Sequence, residues 1–338
     1  MSPGMSPGMS PGWLAPLSVL YGAGATLKNA AYDRGWLRTR RLRWPVVSIG
    51  NLSVGGAGKT PVVIRLAELL AARGATVSVL SRGYGRDSSV AAVEIVDPEG
   101  AAERFGDEPL LIAQRTGARV VVGADRYMAG LWAERGSGRA ERGVHLLDDG
   151  FQHRRLARDV DIVAVHRSDF SERLLPAGRL REPLDALRRA STVVLREVDA
   201  DLEGPLRRLG IKAPIWLVRR TTVVPEGPAR VVAFCGIARP AEFFGSLRQA
   251  GKTVLRELAF RDHQRYAAPD IERLRRMALE CGAEAFVTTE KDAVRLDASM
   301  REALGLPLLV TELQTSFLDE DEVVGDLLRM IGTRQAGN

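Results

Sequence analysis

The sequence predicts an α/β fold: a mostly parallel sheet flanked by helices, a second, smaller α/β domain, and an N-terminal amphipathic helix. Three observations predict it. The apolar segment Val46–Val47–Ser48–Ile49 runs into a glycine-rich loop that ends in Gly58–Lys59–Thr60 and opens a helix, a P-loop NTPase-type arrangement. Short β-like segments then alternate with helical ones, as in a parallel sheet covered on both faces. A shorter α/β series opens near residue 216, and the Pro-Glu-Gly-Pro run at 225–228 suits a connection. The expected organisation is a disordered repeat tail over 1–12, an arm over 13–45, a P-loop domain over 46–215 and a smaller domain over 216–338.

The tail repeats Met-Ser-Pro-Gly three times, a composition from which no core can form. In the arm, Trp13, Leu17, Leu20, Gly24 and Leu27 recur at helical spacing. Pro16, several glycines and Lys28 break the stretch, which falls short of the roughly 20 continuous apolar residues of a spanning helix. It also lacks the cleavage site of a signal peptide. Lys28, Arg34, Arg38, Arg40, Arg41 and Arg43 follow, opposed only by Asp33. An apolar helix beside a basic cluster suits an anionic membrane surface. A helix packed on the domain with a solvated basic face fits the pattern equally well. Stacking aromatics are scarce in the basic run, Trp36 and Trp44 apart, so no nucleic acid is expected.

The glycine-rich loop is built to hold polyphosphate. Its backbone N–H groups can close around phosphate oxygens at a helix N-terminus. Lys59 can reach the β- and γ-phosphates, and the Thr60 hydroxyl can ligate Mg2+. The general pattern has glycine where this chain has Ser53; Gly55, Gly56 and Gly58 supply the flexibility.

The helix over Thr60–Arg73 carries Val63, Leu66, Ala67 and Leu70 on one face and stops at Gly74. Strands are expected at Ala75–Leu80, Val90–Val96, Arg119–Val122, Val144–Leu147, Val160–Val165 and Thr192–Leu195, with helices at Pro109–Arg115 and Tyr127–Ala133. In the second series, strands are expected at Arg230–Cys235, Thr253–Phe260, Ala285–Thr289 and Leu306–Thr311. Its helices are expected at Ala241–Ala250, Ile271–Cys281 and Glu320–Ile331. The chain has 338 residues, 45% hydrophobic and 27% charged, enough for two domains. Its net charge of +6 is modest. Cys235 and Cys281 stand far apart and in no metal-ligand spacing, which suits a reduced cytosolic compartment.

Leu146–Leu147–Asp148–Asp149 reads as an apolar strand ending in acids that support Mg2+. Ordinary turn chemistry is the alternative. Gly106–Asp107–Glu108–Pro109 places two acids at a helix start, where a cap is the common role. A kinase, however, needs a carboxylate for the attacking hydroxyl. His263 follows a strand among Arg261, Asp262 and Arg265, polar company suited to a cleft. Thr288–Thr289–Glu290–Lys291–Asp292 superficially matches a guanine-reading motif, but Asp292 directly follows Lys291 and the spacing fails.

Together these segments resemble one family, the tetraacyldisaccharide 4'-kinases of lipid A biosynthesis. The resemblance rests on Gly50–Pro61, Ser81–Gly85, Gly106–Pro109, Asp148–His153, Leu175–Pro183, Phe234–Pro240, Asp262–Tyr266 and Thr288–Leu296, in the family's order from about residue 14 to 330. Ser53 fits the family's own loop. The family pattern more often has proline where this chain has Arg179. The resemblance implies transfer of the ATP γ-phosphoryl group to the 4'-hydroxyl of tetraacyldisaccharide 1-phosphate, at the cytoplasmic face of the bacterial inner membrane. It implies Asp107 as the base with His263 as its partner, and Asp149 in the catalytic set. Asn51, Ser53, Gly55, Gly56, Ala57, Gly58, Lys59 and Thr60 would hold ATP, and Thr60 and Asp148 would hold Mg2+. Glu108, Gln152, Arg181 and Glu182 would line the substrate or support the site. The resemblance also favours the membrane reading of the arm. The expected partners are therefore the lipid substrate and an anionic membrane surface; the oligomeric state stays open, a monomer included. The competing readings are a membrane-associated P-loop NTPase acting as switch or assembly factor, and a soluble small-molecule kinase.

Overall fold

The computed structural model describes residues 14–55, 58–86, 92–135 and 143–336. The repeat tail, Trp13, and Gly56 and Ala57 of the loop lie outside the described residues. Helix α1 (Ala15–Asp33) precedes strand β1 (Val46–Asn51) and helix α2 (Lys59–Ala72). The first series continues through β2 (Thr76–Ser81), β3 (Val93–Ile95), α3 (Ala102–Phe105), α4 (Asp107–Thr116), β4 (Arg119–Gly123) and α5 (Arg126–Arg135). It ends with β5 (Gly143–Asp148), β6 (Val160–Ala164), β7 (Thr192–Arg196), α6 (Glu203–Arg208) and β8 (Ile215–Val223). The second series is β9 (Arg230–Cys235), α7 (Pro240–Gln249), β10 (Thr253–Ala259), α8 (Ala268–Cys281), β11 (Ala285–Thr289), α9 (Glu290–Ala293), α10 (Ala298–Ala303), β12 (Leu308–Phe317) and α11 (Glu320–Ala336).

The described strands form a 12-stranded sheet in the order β10–β9–β11–β12–β8–β7–β6–β1–β5–β2–β4–β3. Pairing is parallel except between β3 and β4 and between β8 and β12. Strand β1 sits between β5 and β6 with every residue buried. A parallel strand covered on both faces needs a continuous apolar run, and Val46–Ile49 supplies one around Ser48. The core on one face joins α2, α4 and α11 to the sheet. The core on the other includes Leu52, Phe151, Leu187 and Leu206. The second series has its own core on each face, around Phe234 and Phe286 and around Phe243 and Leu247.

Strand β12 ties the two series together. Leu308–Thr311 pair in parallel with β11, and Glu312–Phe317 pair antiparallel with β8. The strand therefore runs well past the expected Leu306–Thr311. Strand β8 has no counterpart in the sequence reading, because its buried Trp216 and Val218 alternate with polar and half-buried positions rather than forming an apolar run. Helix α11 crosses back to the first series: Val323, Val324, Leu327 and Ile331 share a core with Val62, Val63, Leu66 and Leu70 of α2. Arg65 reinforces this contact with two bonds to Glu320, at 2.8 and 2.6 Å.

Helix α1 docks on the segment after β6. Ser18 Oγ donates to the Leu174 carbonyl at 3.0 Å and accepts from the Ala177 N–H at 3.0 Å. Asn29 Nδ2 donates to Glu182 Oε2 at 2.5 Å, and Arg154 pairs with Asp33 at 2.6 Å. Its other side leaves Val19, Leu20 and Leu27 exposed, with Trp36 beyond its end. The helix is thus packed along one side and apolar towards solvent along the other. Among the described residues no helix is long and apolar enough to cross a membrane.

Gly50 marks where β1 passes closest to a neighbour: a Cβ there would meet Phe151 Cβ at 2.5 Å and Phe151 N at 2.8 Å. Gly50→Ala is expected to cost about 1–3 kcal/mol through overpacking, read as a lower urea midpoint.

Candidate active site

The phosphate loop joins β1 to α2. Helix α2 begins after Gly58, whose φ of 73° suits glycine, and it has neither a side-chain cap nor an acid in its first turn. Its first N–H groups are left for an anion. Gly55 takes a positive φ as well. Lys59 turns back onto Asn51 Oδ1 at 2.9 Å and Asp149 Oδ1 at 3.3 Å. Asn51 Nδ2 donates to the Ser53 carbonyl at 2.7 Å. The stretch 179–181 braces the loop: the Val54 N–H donates to the Arg179 carbonyl at 2.8 Å and the Arg181 N–H to the Leu52 carbonyl at 2.7 Å. Arg179 adds bonds that a proline there could not make. Its N–H donates to Glu172 and its guanidinium to the Val54 carbonyl.

Asp148 and Asp149 end β5 beside this loop and do different things. Ser81 Oγ donates to Asp148 Oδ2 at 3.0 Å, while Oδ1 is buried without a hydrogen-bond partner. Burial, then the charges of Glu108 and Asp149, push the Asp148 carboxyl up to about 7. An orphaned buried oxygen on the same cleft as the Thr60 hydroxyl fits a hard cation such as Mg2+. Among the described residues no group of three or more His, Cys, Asp or Glu could hold a metal, so such an ion would depend on phosphate oxygens. Asp149 takes φ 51°, a conformation that costs about 1–3 kcal/mol outside glycine. It aims its carboxylate at Lys59 and at Arg181 Nη1, 2.9 Å away. Burial raises its proton affinity, but these two cations outweigh that and hold it ionised. Arg181 also donates to Gln152 Oε1 at 3.1 Å and Asn51 Oδ1 at 3.3 Å, and Gln152 Nε2 donates to the Asn51 carbonyl at 3.0 Å.

Across the cleft stands Asp107, the first residue of α4. It does not cap that helix; Gly106 is the cap, without a side-chain bond. The buried carboxylate instead meets the second series. His263 Nδ1 lies 3.0 Å from Oδ2 and 3.2 Å from Oδ1. Arg295 reaches Oδ2 with Nε at 3.0 Å and Nη2 at 2.5 Å. Burial raises the proton affinity of Asp107, but the His263 hydrogen bond and the charges of Lys291, Arg295 and His263 hold it well below the usual carboxylate range. His263 sits at φ 59° with its ring edge-on to Tyr84, centroids 5.4 Å apart. Lys291 Nζ donates to Glu108 Oε1 at 3.0 Å and lies 3.4 Å from His263 Nε2.

One cleft of about 2400 Å³ is lined by Lys59, Thr60, Asp148, Asp149, Glu108 and His263, among others. The structure thus brings most of the sequence-predicted residues together. Asn51, Ser53 and Asp107 are buried and do not line it, but each bonds a residue that does; Glu182, also buried, binds Asn29 of α1 and Arg189 at 2.8 Å instead. Three site cations escaped the sequence reading. Lys291 lies in the motif whose guanine spacing failed, and Arg295 just past it; both fall in the Thr288–Leu296 stretch of the resemblance, which assigned neither a role. Arg126 follows the carboxyl end of β4, a position that could have flagged it. Buried and bonded to the Gly123 and Ala124 carbonyls, it is lowered to about 10 by burial, against the charge of Asp148.

The ordinary pKa of 3.8 for Asp148 applies in the unfolded chain, so its folding cost grows as pH rises from there to about 7 and is constant above. Asp148→Asn is expected to stabilise the nucleotide-free protein at pH 8 by on the order of 2–4 kcal/mol. The gain should fade towards pH 4, as followed by thermal melting.

Known proteins resemble this chain over nearly its whole length. The model of the family described as tetraacyldisaccharide-1-P 4'-kinase matches residues 11–332. A tetraacyldisaccharide 4'-kinase of Koribacter versatilis is 45% identical over 331 residues, covering 95% of this chain and 99% of that protein. One from Anaeromyxobacter dehalogenans is 40% identical, covering 90% of this chain and 86% of that protein. A crystal structure of LpxK from Aquifex aeolicus in complex with ATP matches with a TM-score of 0.74 and 32% identity, over 94% of this chain and 98% of that one. The chain therefore belongs to the tetraacyldisaccharide 4'-kinase family.

Proposed function

We infer that this chain transfers the γ-phosphoryl group of ATP to the 4'-hydroxyl of tetraacyldisaccharide 1-phosphate in lipid A biosynthesis. The observation that carries the reading is the Asp107–His263 pair, 3.0 Å apart, whose His263 lines one cleft with Lys59 and Thr60 of the phosphate loop. A switch or assembly NTPase needs no such acceptor-side pair. The loop N–H groups and Lys59 would hold the phosphates; on ATP binding Lys59 would leave Asn51 for them. Mg2+ held by Thr60 and Asp148 would neutralise charge on the β- and γ-phosphates. Asp149, fixed by Arg181 and Gln152, keeps a negative charge beside Lys59 and so orients it. The 4'-oxygen forms its bond to the γ-phosphorus as the bond to the β–γ bridging oxygen breaks, and ADP leaves. The hydroxyl proton passes to Asp107, with His263 holding the carboxylate in place. Such a base works by position, since its proton affinity is low and the transition state is loose.

Residues 46–215 and 216–338 would form the two units, with β8 and β12 as the strap between them. The arm would lie on an anionic membrane surface at the cytoplasmic face of the inner membrane. The exposed Val19, Leu20, Leu27 and Trp36, with Lys28, Arg34 and Arg38 nearby, support that placement.

Incubation with labelled ATP and the tetraacyldisaccharide 1-phosphate is expected to yield a 4'-phosphorylated lipid; ATP hydrolysis indifferent to the lipid would overturn the reading. Asp107→Asn should lower kcat by about 100-fold or more while KM for ATP stays within about threefold. Replacing Lys28, Arg34 and Arg38 by Ala should weaken binding to phosphatidylglycerol-containing vesicles about 100-fold, at about 1 kcal/mol per charge, and leave neutral vesicles unaffected.

A further inference from the structure

We propose that Arg295 is a positioning residue for the phosphoryl transfer, locking one oxygen of Asp107 from the second series and leaving the other for the acceptor hydroxyl. This rests on the reading of Asp107 as the proton acceptor. The two oxygens of that carboxylate are unequal. Oδ2 receives Arg295 Nε at 3.0 Å, Arg295 Nη2 at 2.5 Å and His263 Nδ1 at 3.0 Å. Oδ1 has a single hydrogen bond among the described residues, the weaker one to His263 at 3.2 Å. A guanidinium that reaches one oxygen through two nitrogens fixes where the carboxylate points as well as its charge.

Arg295 is itself held rigidly. Its side chain is buried, and Nη1 donates to Asp292 Oδ1 at 3.1 Å and to the Gly236 carbonyl at 3.2 Å. Asp292 is fully buried and takes further bonds from the Gly236 N–H and Tyr266 hydroxyl, each at 2.8 Å, and from Thr289 Oγ1 at 2.6 Å. A chain of fixed groups thus runs from the second series to a carboxylate on α4. A lysine could supply the charge but not the fork that satisfies Asp107 and Asp292 together. Positioning costs basicity, because a cation pressed on a carboxylate favours its ionised form. The charged and titratable groups around Asp107 are Arg295, His263 and Lys291 from the second series and Glu108 from its own helix.

The test uses the full chain, Mg·ATP and tetraacyldisaccharide 1-phosphate in detergent micelles. Arg295→Lys keeps the charge and loses the fork. The double variant Asp292→Asn with Arg295→Met removes one cation and one anion, so the buried charge stays balanced. Both are expected to melt as cooperatively as the parent and to lose about 10- to 100-fold in kcat, the scale of a misplaced catalytic group, with KM for ATP held within about threefold. In the double variant the acidic limb of the kcat–pH profile should move to higher pH. A folded Arg295→Lys with kcat within about twofold of the parent would overturn the proposal. So would a loss of kcat matched by a rise in KM with the acidic limb unmoved, or failure of both variants to fold, since each makes Arg295 structural only. Asp107→Asn is assayed alongside. If it retains activity, the reading of Asp107 has failed; if it is inactive while the Arg295 variants are active, only the present proposal has.

Discussion

A carboxylate stays ionised in a protein interior only where cations stand against it. Asp107 is buried at the start of α4, and the groups that hold its charge come from the other half of the chain. Arg295 and His263 bond it directly, and Lys291 pairs with its neighbour Glu108. Further along the same helix, Arg115 pairs with Glu290 at 2.6 Å. Helix α4 is therefore the element on which the two series close, and the proposed acceptor side of the site is the same object as their interface. Neither half alone could hold this charge arrangement.

The sheet makes that closure geometrically possible. The antiparallel β8–β12 pair reverses the polarity once, and α11 then returns to pack on α2. The site on α4 is thus faced by the segments that follow β9, β10 and β11, carrying Gly236, His263 and Lys291. The two non-glycine residues with positive φ among those described, Asp149 and His263, flank this cleft. Strain of that kind persists only where surrounding bonds over-determine it, and both residues are so held, by Lys59 and Arg181 in one case and by Asp107 in the other.

The arm joins this framework through adjacent residues. Glu182 holds Asn29 of α1, while Arg181 holds Asp149, Gln152 and Asn51. One short segment therefore anchors both the helix with the exposed apolar side and the phosphate loop. That explains why Glu182 belongs beside Arg181 in sequence without entering the cleft.

Much of the first series was legible from the chain alone because its signals are local. The apolar run of β1, the glycines before Lys59, the acids after Leu147 and the periodicity of α2 each depend on near neighbours, and the observed elements fall within a few residues of those expected. Asp107 and His263 could be named from sequence, though only the wider family resemblance lifted them above a helix cap and a loop histidine. What the tertiary structure decided is who meets whom. Arg295 lies 188 residues from Asp107, and nothing in its neighbourhood announces that contact. Strand β8 is recognisable only once β12 lies against it, and Glu182 is assigned to the arm only once α1 is docked. Propensity and phosphate-binding loops are written in consecutive residues, whereas compensation of a buried charge is a property of space, and space is set when the sheet reverses at β12.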